Sequence, residues 1–287
     1  MKISIVTTNF NGAKYLEATI LSVLSQNYPE IEYIIVDGGS TDGSVEIIKK
    51  YEKQLAWWIS EPDNGMYYAI QKGFDHSTGE IMAWINSDDM YHKNSFYTIA
   101  EIFSSFEQVN WLVGASTFYD EKGRTVICNQ SRLLNKFDFY NYDYKWIQQE
   151  SVFWRRNLWE KAGSHLNVNL KYAGDFDLWL RFFQIDKLFF TYALIGGFRL
   201  RGSDQLSLDH VKDYFHEANS VLSNVKLSNK EKKDLLNYQR LIKIESYSKR
   251  LRLYRTLSLF RNFRSKFFAK PPVISFDRIK QKFVLID

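Results

Sequence analysis

Short apolar runs alternate with amphipathic stretches along the first 115 residues. Ile3-Ser4-Ile5-Val6-Thr7-Thr8 reads as a strand, and Ala13 to Gln26 then places Leu16, Ile20, Val23 and Leu24 on one helical face. Tyr33-Ile34-Ile35-Val36-Asp37 is an uninterrupted apolar run before its closing acid, as a strand covered on both faces requires. Ser40-Thr41-Asp42 carries the side chains that cap a helix, and Val45, Ile48 and Tyr51 follow at helical spacing. Trp57-Trp58-Ile59 predicts a third strand, Met66 to Phe74 a helix and Glu80 to Ile85 a fourth strand. A helix after Asn94 and the strand Trp111-Leu112-Val113-Gly114-Ala115 complete the series. Repeated strand–helix units imply a mostly parallel α/β sheet with helices on both faces.

The polar residues that interrupt this pattern fall at strand ends. They are Thr8-Asn9-Phe10-Asn11-Gly12, Asp37-Gly38-Gly39-Ser40-Thr41-Asp42-Gly43, Asp63-Asn64-Gly65 and Asn86-Ser87-Asp88-Asp89. In a parallel sheet all four share one edge, the edge where open α/β folds bind ligands. Adjacent carboxylates such as Asp88 and Asp89 repel unless donors or a cation sit between them. Mg2+ or Mn2+, held by one carboxylate and by phosphate oxygens, is the chemistry this suggests. Capping of the next helix is the competing use of Asp88 and Asp89, and Asx-type turns that of Asp37 and Asp63. The glycine-rich turn of dinucleotide folds and the lysine-bearing phosphate loop are both absent from the first loop.

Composition narrows the class. With 287 residues, 45% of them hydrophobic, the chain can bury a substantial core. Eighteen Tyr and eight Trp exceed what a core needs, so some are expected to line a groove for a ring-shaped ligand. A single cysteine, Cys128, excludes an intramolecular disulfide and is expected as inert packing. Met1 runs straight into a strand, and no apolar run approaches the roughly 20 residues that span a bilayer. The expected location is cytoplasmic.

Taken in order, Thr-Thr-Asn-Phe-Asn-Gly, Ile-Ile-Val-Asp-Gly-Gly-Ser-Thr-Asp-Gly, Glu-Pro-Asp-Asn-Gly-Met-Tyr-Tyr-Ala-Ile and Asn-Ser-Asp-Asp resemble glycosyltransferase family 2 over roughly residues 1–200. The resemblance implies a GT-A type fold, mostly parallel sheet flanked by helices, and inverting transfer from a nucleotide-diphospho-sugar, typically a UDP-sugar. It implies that Thr8, Asn11 and Asp37 cradle the nucleobase and that Asp63 reaches the base or ribose. Asp88 would face the ribose or sugar and Asp89 would bind the metal, Mn2+ or Mg2+. The family's Asp-x-Asp stands here as Ser87-Asp88-Asp89, with serine for the first acid.

An inverting transfer also needs a base for the acceptor hydroxyl. The segment Ala173-Gly174-Asp175-Phe176-Asp177-Leu178-Trp179 aligns Asp175 with the family's catalytic base and Asp177 with its structural acid, while Gly174 stands where Glu is frequent. A helix N-terminus predicts a lowered pKa for Asp175. Trp146, Gln149 and Glu150 are the expected acceptor contacts, and Arg199 or Arg201 the expected phosphate contacts. A catalytic domain over residues 1–205 and a helical, basic extension over 206–287 follow. The expected acceptor is a saccharide or lipid-linked saccharide in surface polysaccharide synthesis. A non-catalytic nucleotide-sugar-binding protein is the alternative, which would need no base.

Leu208 to Leu222 and Asn229 to Tyr247 read as helices, with Ser228 and Glu231 forming a capping box. Net charge is +5, and residues 249–270 hold eight Lys or Arg and no acid. Leu253, Leu257, Phe260, Phe263 and Phe267 form one helical stripe among these cations. Such a helix suits an anionic membrane, giving a peripheral protein on the inner face of the cell membrane. Packing on the catalytic domain or a partner chain, including an oligomer, stays open. Nucleic acid is not an expected partner, because no DNA- or RNA-binding module accompanies the basic run.

Overall fold

The computed structural model describes residues 1–142, 147–202, 205, 209–251, 259 and 271–286. Four parallel strands form its first half: β1 (Ile3–Asn9), β2 (Ile31–Asp37), β3 (Trp57–Ser60) and β4 (Ile81–Asn86). β2 lies on one side of β1 and β4 on the other, with β3 beyond β2. The register sets Asn9 beside Asp37, Asp37 beside Ser60 and Thr8 beside Asn86, so the predicted polar strand ends do share one edge.

The connecting helices are α1 (Ala13–Leu24), α2 (Ser44–Tyr51) and α3 (Met66–Asp75). Then follow β5 (Met90–Tyr91), α4 (Ser95–Ser105), β6 (Trp111–Val113), β7 (Ser116–Tyr119), β8 (Thr125–Asn129) and α5 (Lys136–Tyr140). A 3-10 turn at Gln149–Ser151 leads into β9 (Val152–Arg155), α6 (Arg156–Lys161), α7 (Gly174–Ile185), β10 (Phe189–Thr191) and β11 (Gly196–Arg199). The chain ends with α8 (Val211–Ser223), α9 (Asn229–Arg250), β12 (Val273–Asp277) and β13 (Lys282–Ile286).

Among the described residues the main sheet has nine strands in the order β13-β12-β10-β6-β9-β4-β1-β2-β3, with β9 antiparallel to both neighbours. A second sheet, β5-β11-β7-β8, stands beside it. The α/β architecture is therefore as expected, and the C-terminal region is helical over α8 and α9. One difference is that β12 pairs in parallel with β10 and carries residues 273–286 into the main sheet. Val273 and Ile274 are buried there, so apolar burial accounts for the strand. The stripe from Leu253 to Phe267 lies outside the described residues.

Much of the aromatic excess is core. Trp84, Trp111, Trp154 and Trp179 are buried, and the Trp179 ring stacks on Trp84 at 5.6 Å and on Trp111 at 5.8 Å. Aromatic pairs of this kind add about 0.5–1.5 kcal/mol beyond the area they bury. This packing holds α7 against the sheet and so fixes where its N-terminal turn, with Asp175, can sit. The capping box forms as predicted: Ser228 Oγ accepts the Glu231 N–H at 3.2 Å, and Glu231 accepts the Ser228 N–H at 3.0 Å. Cys128, in contrast, is exposed on the edge strand β8 and is not part of the core packing expected of it.

Candidate active site

Asp37 organises the end of the sheet. Its carboxylate is fully enclosed at 0% exposure and accepts from Asn9 Nδ2 at 2.7 Å, Ser40 Oγ at 2.6 Å, Ser60 Oγ at 2.6 Å and the backbone N–H of Ser40 at 2.9 Å. Burial pushes its pKa up, but these donors outweigh burial and hold it below the usual aspartate range. An ionised Asp37 thereby fastens three loops. Asn11 adds a second tie: its side-chain oxygen accepts from the Thr41 N–H at 3.0 Å, with its own backbone in the left-handed region at φ 50°. Thr8 is buried beneath this loop.

Asp63 accepts from the Gly65 N–H at 2.8 Å, forming the Asx turn that is its competing use, while its second oxygen rests against Gly38. A Cβ on Gly38 would lie 3.0 Å from that oxygen and 3.3 Å from the Phe10 ring. Glycine at 38 thus permits Asp63 and Phe10 to close over the loop. The Phe10 ring is 69% exposed. Together these residues form a shallow polar cradle with an aromatic wall.

The second cluster sits at the end of β4. Asp89 is fully buried; its Oδ1 accepts the Arg199 N–H at 2.8 Å, its Oδ2 accepts from Asn86 Nδ2 at 3.4 Å, and the Glu150 carboxyl acts on it electrostatically. Burial first, then the charges of Asp88 and Glu150, push Asp89 well above the carboxylate range, and burial pushes Glu150 up to about 7. Asp88 is also raised by burial, against the pull of Arg201 and Arg199. Arg201 Nε lies 3.1 Å from Asp88 Oδ2. Glu150 Oε2 is buried with no hydrogen-bond partner. Three acids raised together around an orphaned oxygen form a site short of positive charge, which suits a divalent cation. Among the described residues no three acid or histidine side chains converge into a closed metal cage. An ion here would take its remaining ligands from phosphate and water.

Arg199 is buried at 2% exposure, and its guanidinium is held by carbonyls. Nε donates to Asp88 O at 2.6 Å, Nη1 donates to Asp120 O and Glu121 O at 3.2 Å each, and the group lies 4.8 Å from the centre of the Tyr15 ring. The structure thus places Arg199 as a brace of the acid cluster, and Arg201 at its rim. Gln149 is buried and donates to Trp84 O at 2.5 Å. Trp146 lies outside the described residues.

Asp175 opens α7, where Phe176 N–H donates to its Oδ1 at 2.8 Å. Its pKa is not lowered as the helix terminus predicts. Burial pushes it up to about 6, against hydrogen bonds from Phe176, its own backbone and Tyr67. The dipole of one helix is a small effect beside removal of a carboxylate from water. Asp175 also raises Glu150 electrostatically, which ties the base candidate to the acid cluster. Asp177 is engaged elsewhere: it pairs with Arg181 at 3.0 Å, and Arg181 donates to Ala162 O and His165 O.

Tyr67, which meets the Asp175 N–H, and Glu217, which holds the chain just before it, escaped the sequence reading. Tyr67 could have been found from its place four residues after Asp63. Glu217 carries no local signal, since it reaches the site from α8.

A mostly parallel sheet flanked by helices, with polar loops and a cluster of acids along one edge, is the architecture of GT-A type glycosyltransferases. The chain belongs to glycosyltransferase family 2, whose profile, described as glycosyl transferase family 2, matches residues 4–190. An uncharacterised glycosyltransferase of Rickettsia prowazekii is 25% identical over 220 residues, covering 74% of this chain and 69% of its own length. TuaG of Bacillus subtilis, named for teichuronic acid biosynthesis, is 29% identical over 138 residues, 47% of this chain and 51% of its own. S. aureus TarS 1-349 in complex with UDP-GlcNAc shares the fold with a TM-score of 0.66 and 19% identity, over 82% of this chain and 70% of that one. So does the mannosyltransferase PcManGT from Pyrobaculum calidifontis in complex with GDP-Man and Mn2+, at 0.55 and 14%, over 94% and 88%.

Proposed function

We propose that this glycosyltransferase is an inverting, divalent-metal-dependent enzyme that moves a sugar from a UDP-sugar to a saccharide or lipid-linked saccharide acceptor in surface polysaccharide synthesis. The observation that carries the reading is Asp175: a half-buried carboxyl pushed up to about 6, electrostatically coupled to the acid cluster. A base poised just below neutral pH is ionised when needed and still basic enough to take a proton. A protein that only binds nucleotide sugars has no use for such a group. The names of TuaG and of TarS with UDP-GlcNAc favour polysaccharide synthesis and a uridine donor.

In this reading the loops of Thr8, Asn11 and Asp37 shape the nucleobase cradle, Asp63 closes its far side and Asp88 borders the ribose or sugar. Asp89 would hold Mn2+ or Mg2+, which when bound neutralises charge on the departing diphosphate. Arg199 keeps Asp88 and Asp89 in place, and Arg201 at the rim faces phosphate. Gln149 and Glu150 border the acceptor side. An Asp175 oxygen takes the proton of the acceptor hydroxyl. The acceptor oxygen forms a bond to the anomeric carbon as the bond to the diphosphate oxygen breaks on the opposite face, so the configuration inverts.

Among the described residues no helix is long and apolar enough to cross a membrane. Residues 249–270 dock the enzyme on an anionic membrane, where a lipid-linked acceptor would lie. In support, the outward face of α9 carries Lys232, Lys233, Leu236, Arg240, Lys243 and Tyr247, and Leu251 follows at its C-cap, all exposed, without an acid among them.

The test of the base is Asp175→Asn, expected to lower kcat by at least about 10²-fold with donor affinity little changed. Near-normal kcat, with collapse in Asp177→Asn, would move the role two residues along.

A further inference from the structure

Tyr67 is the second residue of α3, and its buried ring fills the space that Gly174 leaves. A Cβ on Gly174 would lie 2.7 Å from Cε1 and Cζ of that ring, closer than such atoms approach. The glycine that stands where the family often has Glu is therefore matched by a tyrosine from another element. The Tyr67 hydroxyl donates to Tyr172 O at 3.0 Å and accepts the Asp175 N–H at 3.4 Å, and its presence favours the ionised form of the Asp175 carboxyl. From the opposite side Glu217 on α8 accepts the N–H groups of Lys171, Tyr172 and Ala173, each at 2.9 Å. These donors lie at the entry to α7, where helical carbonyl partners are lacking. A carboxylate from the C-terminal extension thus supplies what the chain before α7 cannot.

We propose that Tyr67 and Glu217 are positioning residues, a two-sided clamp on residues 171–175 that aims and tunes the Asp175 carboxylate. The proposal rests on the reading of Asp175 as the base. The hydroxyl proton goes to the Tyr172 carbonyl in this structure, and the Asp175 carboxylate is the alternative acceptor the clamp would offer it. A charge-assisted bond is the stronger of the two. The hydroxyl therefore turns to Asp175 when the carboxylate is ionised, and returns to the carbonyl once Asp175 holds the acceptor's proton. The other titratable groups bearing on this place are Glu150, from the 3-10 turn before β9, and Asp177 on the same helix, neutralised by Arg181. Burial first, then the charges of Asp175 and Glu217, keep the Tyr67 phenol well above its ordinary range, so it acts only as a neutral donor.

The test needs neither donor nor acceptor. In the full chain with 13C-labelled aspartate, the side-chain carboxyl signal that is missing in Asp175→Asn reports Asp175, with an expected midpoint of about 6. Tyr67→Phe removes a donor to the ionised form and should raise the midpoint by roughly one unit. Glu217→Gln weakens the hold on the 171–173 amides and loosens the turn that buries Asp175. It should lower the midpoint toward the ordinary range and speed amide exchange at Tyr172 and Ala173 by roughly tenfold or more. A lower Tm with both midpoints unchanged would reduce the clamp to ordinary packing and overturn the proposal. A shift in Tyr67→Phe alone would remove Glu217 from it. Should Asp175→Asn keep full turnover, the base reading would fail, and that result is separate from this titration.

Discussion

A half-buried carboxylate kept ionised for chemistry should cost the fold stability, and Asp175→Asn measures the cost. Its pKa rises from an ordinary 3.8 to about 6 on folding, chiefly through burial. Each unit is worth about 1.4 kcal/mol, so at pH 8 the native state bears about 3 kcal/mol for holding this group ionised. Asn keeps an acceptor for the Phe176 N–H but brings an amide that needs its own partner, which leaves a net gain of about 1–3 kcal/mol. With an unfolding entropy of roughly 0.6 kcal/mol per kelvin for 287 residues, Tm should rise by about 2–5 °C. The sign follows from proton linkage. Between pH 3.8 and about 6 the folded state binds the proton that the unfolded state has lost, so wild-type stability falls as pH rises through that window. The gain from Asn should therefore be full at pH 8 and nearly gone at pH 4. Differential scanning fluorimetry of both proteins across this range is the assay. A variant no more stable than wild type at pH 8, or a gain equally large at pH 4, would refute the burial account of Asp175.

Asp177→Asn breaks the pair with Arg181, which also ties α7 to Ala162 and His165; the Tm should drop, by about 1 kcal/mol of stability, while donor affinity is unchanged in a titration. Gly38→Ala puts a methyl 3.0 Å from Asp63 Oδ2 and should weaken UDP binding several-fold by calorimetry with little change in kcat; unaltered affinity would remove Asp63 from the cradle. Charge reversal of Lys249 and Arg250 should cut co-sedimentation with anionic vesicles and leave neutral ones unaffected, at about 1 kcal/mol per cation. Substitution is the right perturbation here, because truncation before residue 273 would also strip β12 and β13 from the main sheet.

The polar edge was legible because each of its loops follows an apolar run whose direction is set by the strand–helix alternation. Thr8, Asn11, Asp37, Asp63, Asp88 and Asp89 needed no long-range information to be placed together. What each carboxylate does was harder to read. The enclosure of Asp37 by Asn9, Ser40 and Ser60 depends on strand register, and that of Asp89 on Glu150 and Arg199, which lie 61 and 110 residues away. Asp175 misled for the same reason: its own helix predicts a lowered pKa, whereas the burial comes from packing partners distant in the chain. The second sheet was missed because its strands are short, and β8 is exposed along its whole length, so it lacks a hydrophobic pattern.

The central claim is that one sheet edge binds a nucleotide-diphospho-sugar through a divalent ion at Asp89 while Asp175 waits to act on the acceptor. Thermal shift with UDP-GlcNAc and Mn2+, on wild type, Asp89→Asn and Asp175→Asn, tests it most directly, since a ligand that binds only the folded state raises Tm by mass action. The account predicts stabilisation that requires Mn2+ in the wild type, survives in Asp175→Asn and is lost in Asp89→Asn. Stabilisation by UDP-GlcNAc that is indifferent to Mn2+ and intact in Asp89→Asn would contradict it.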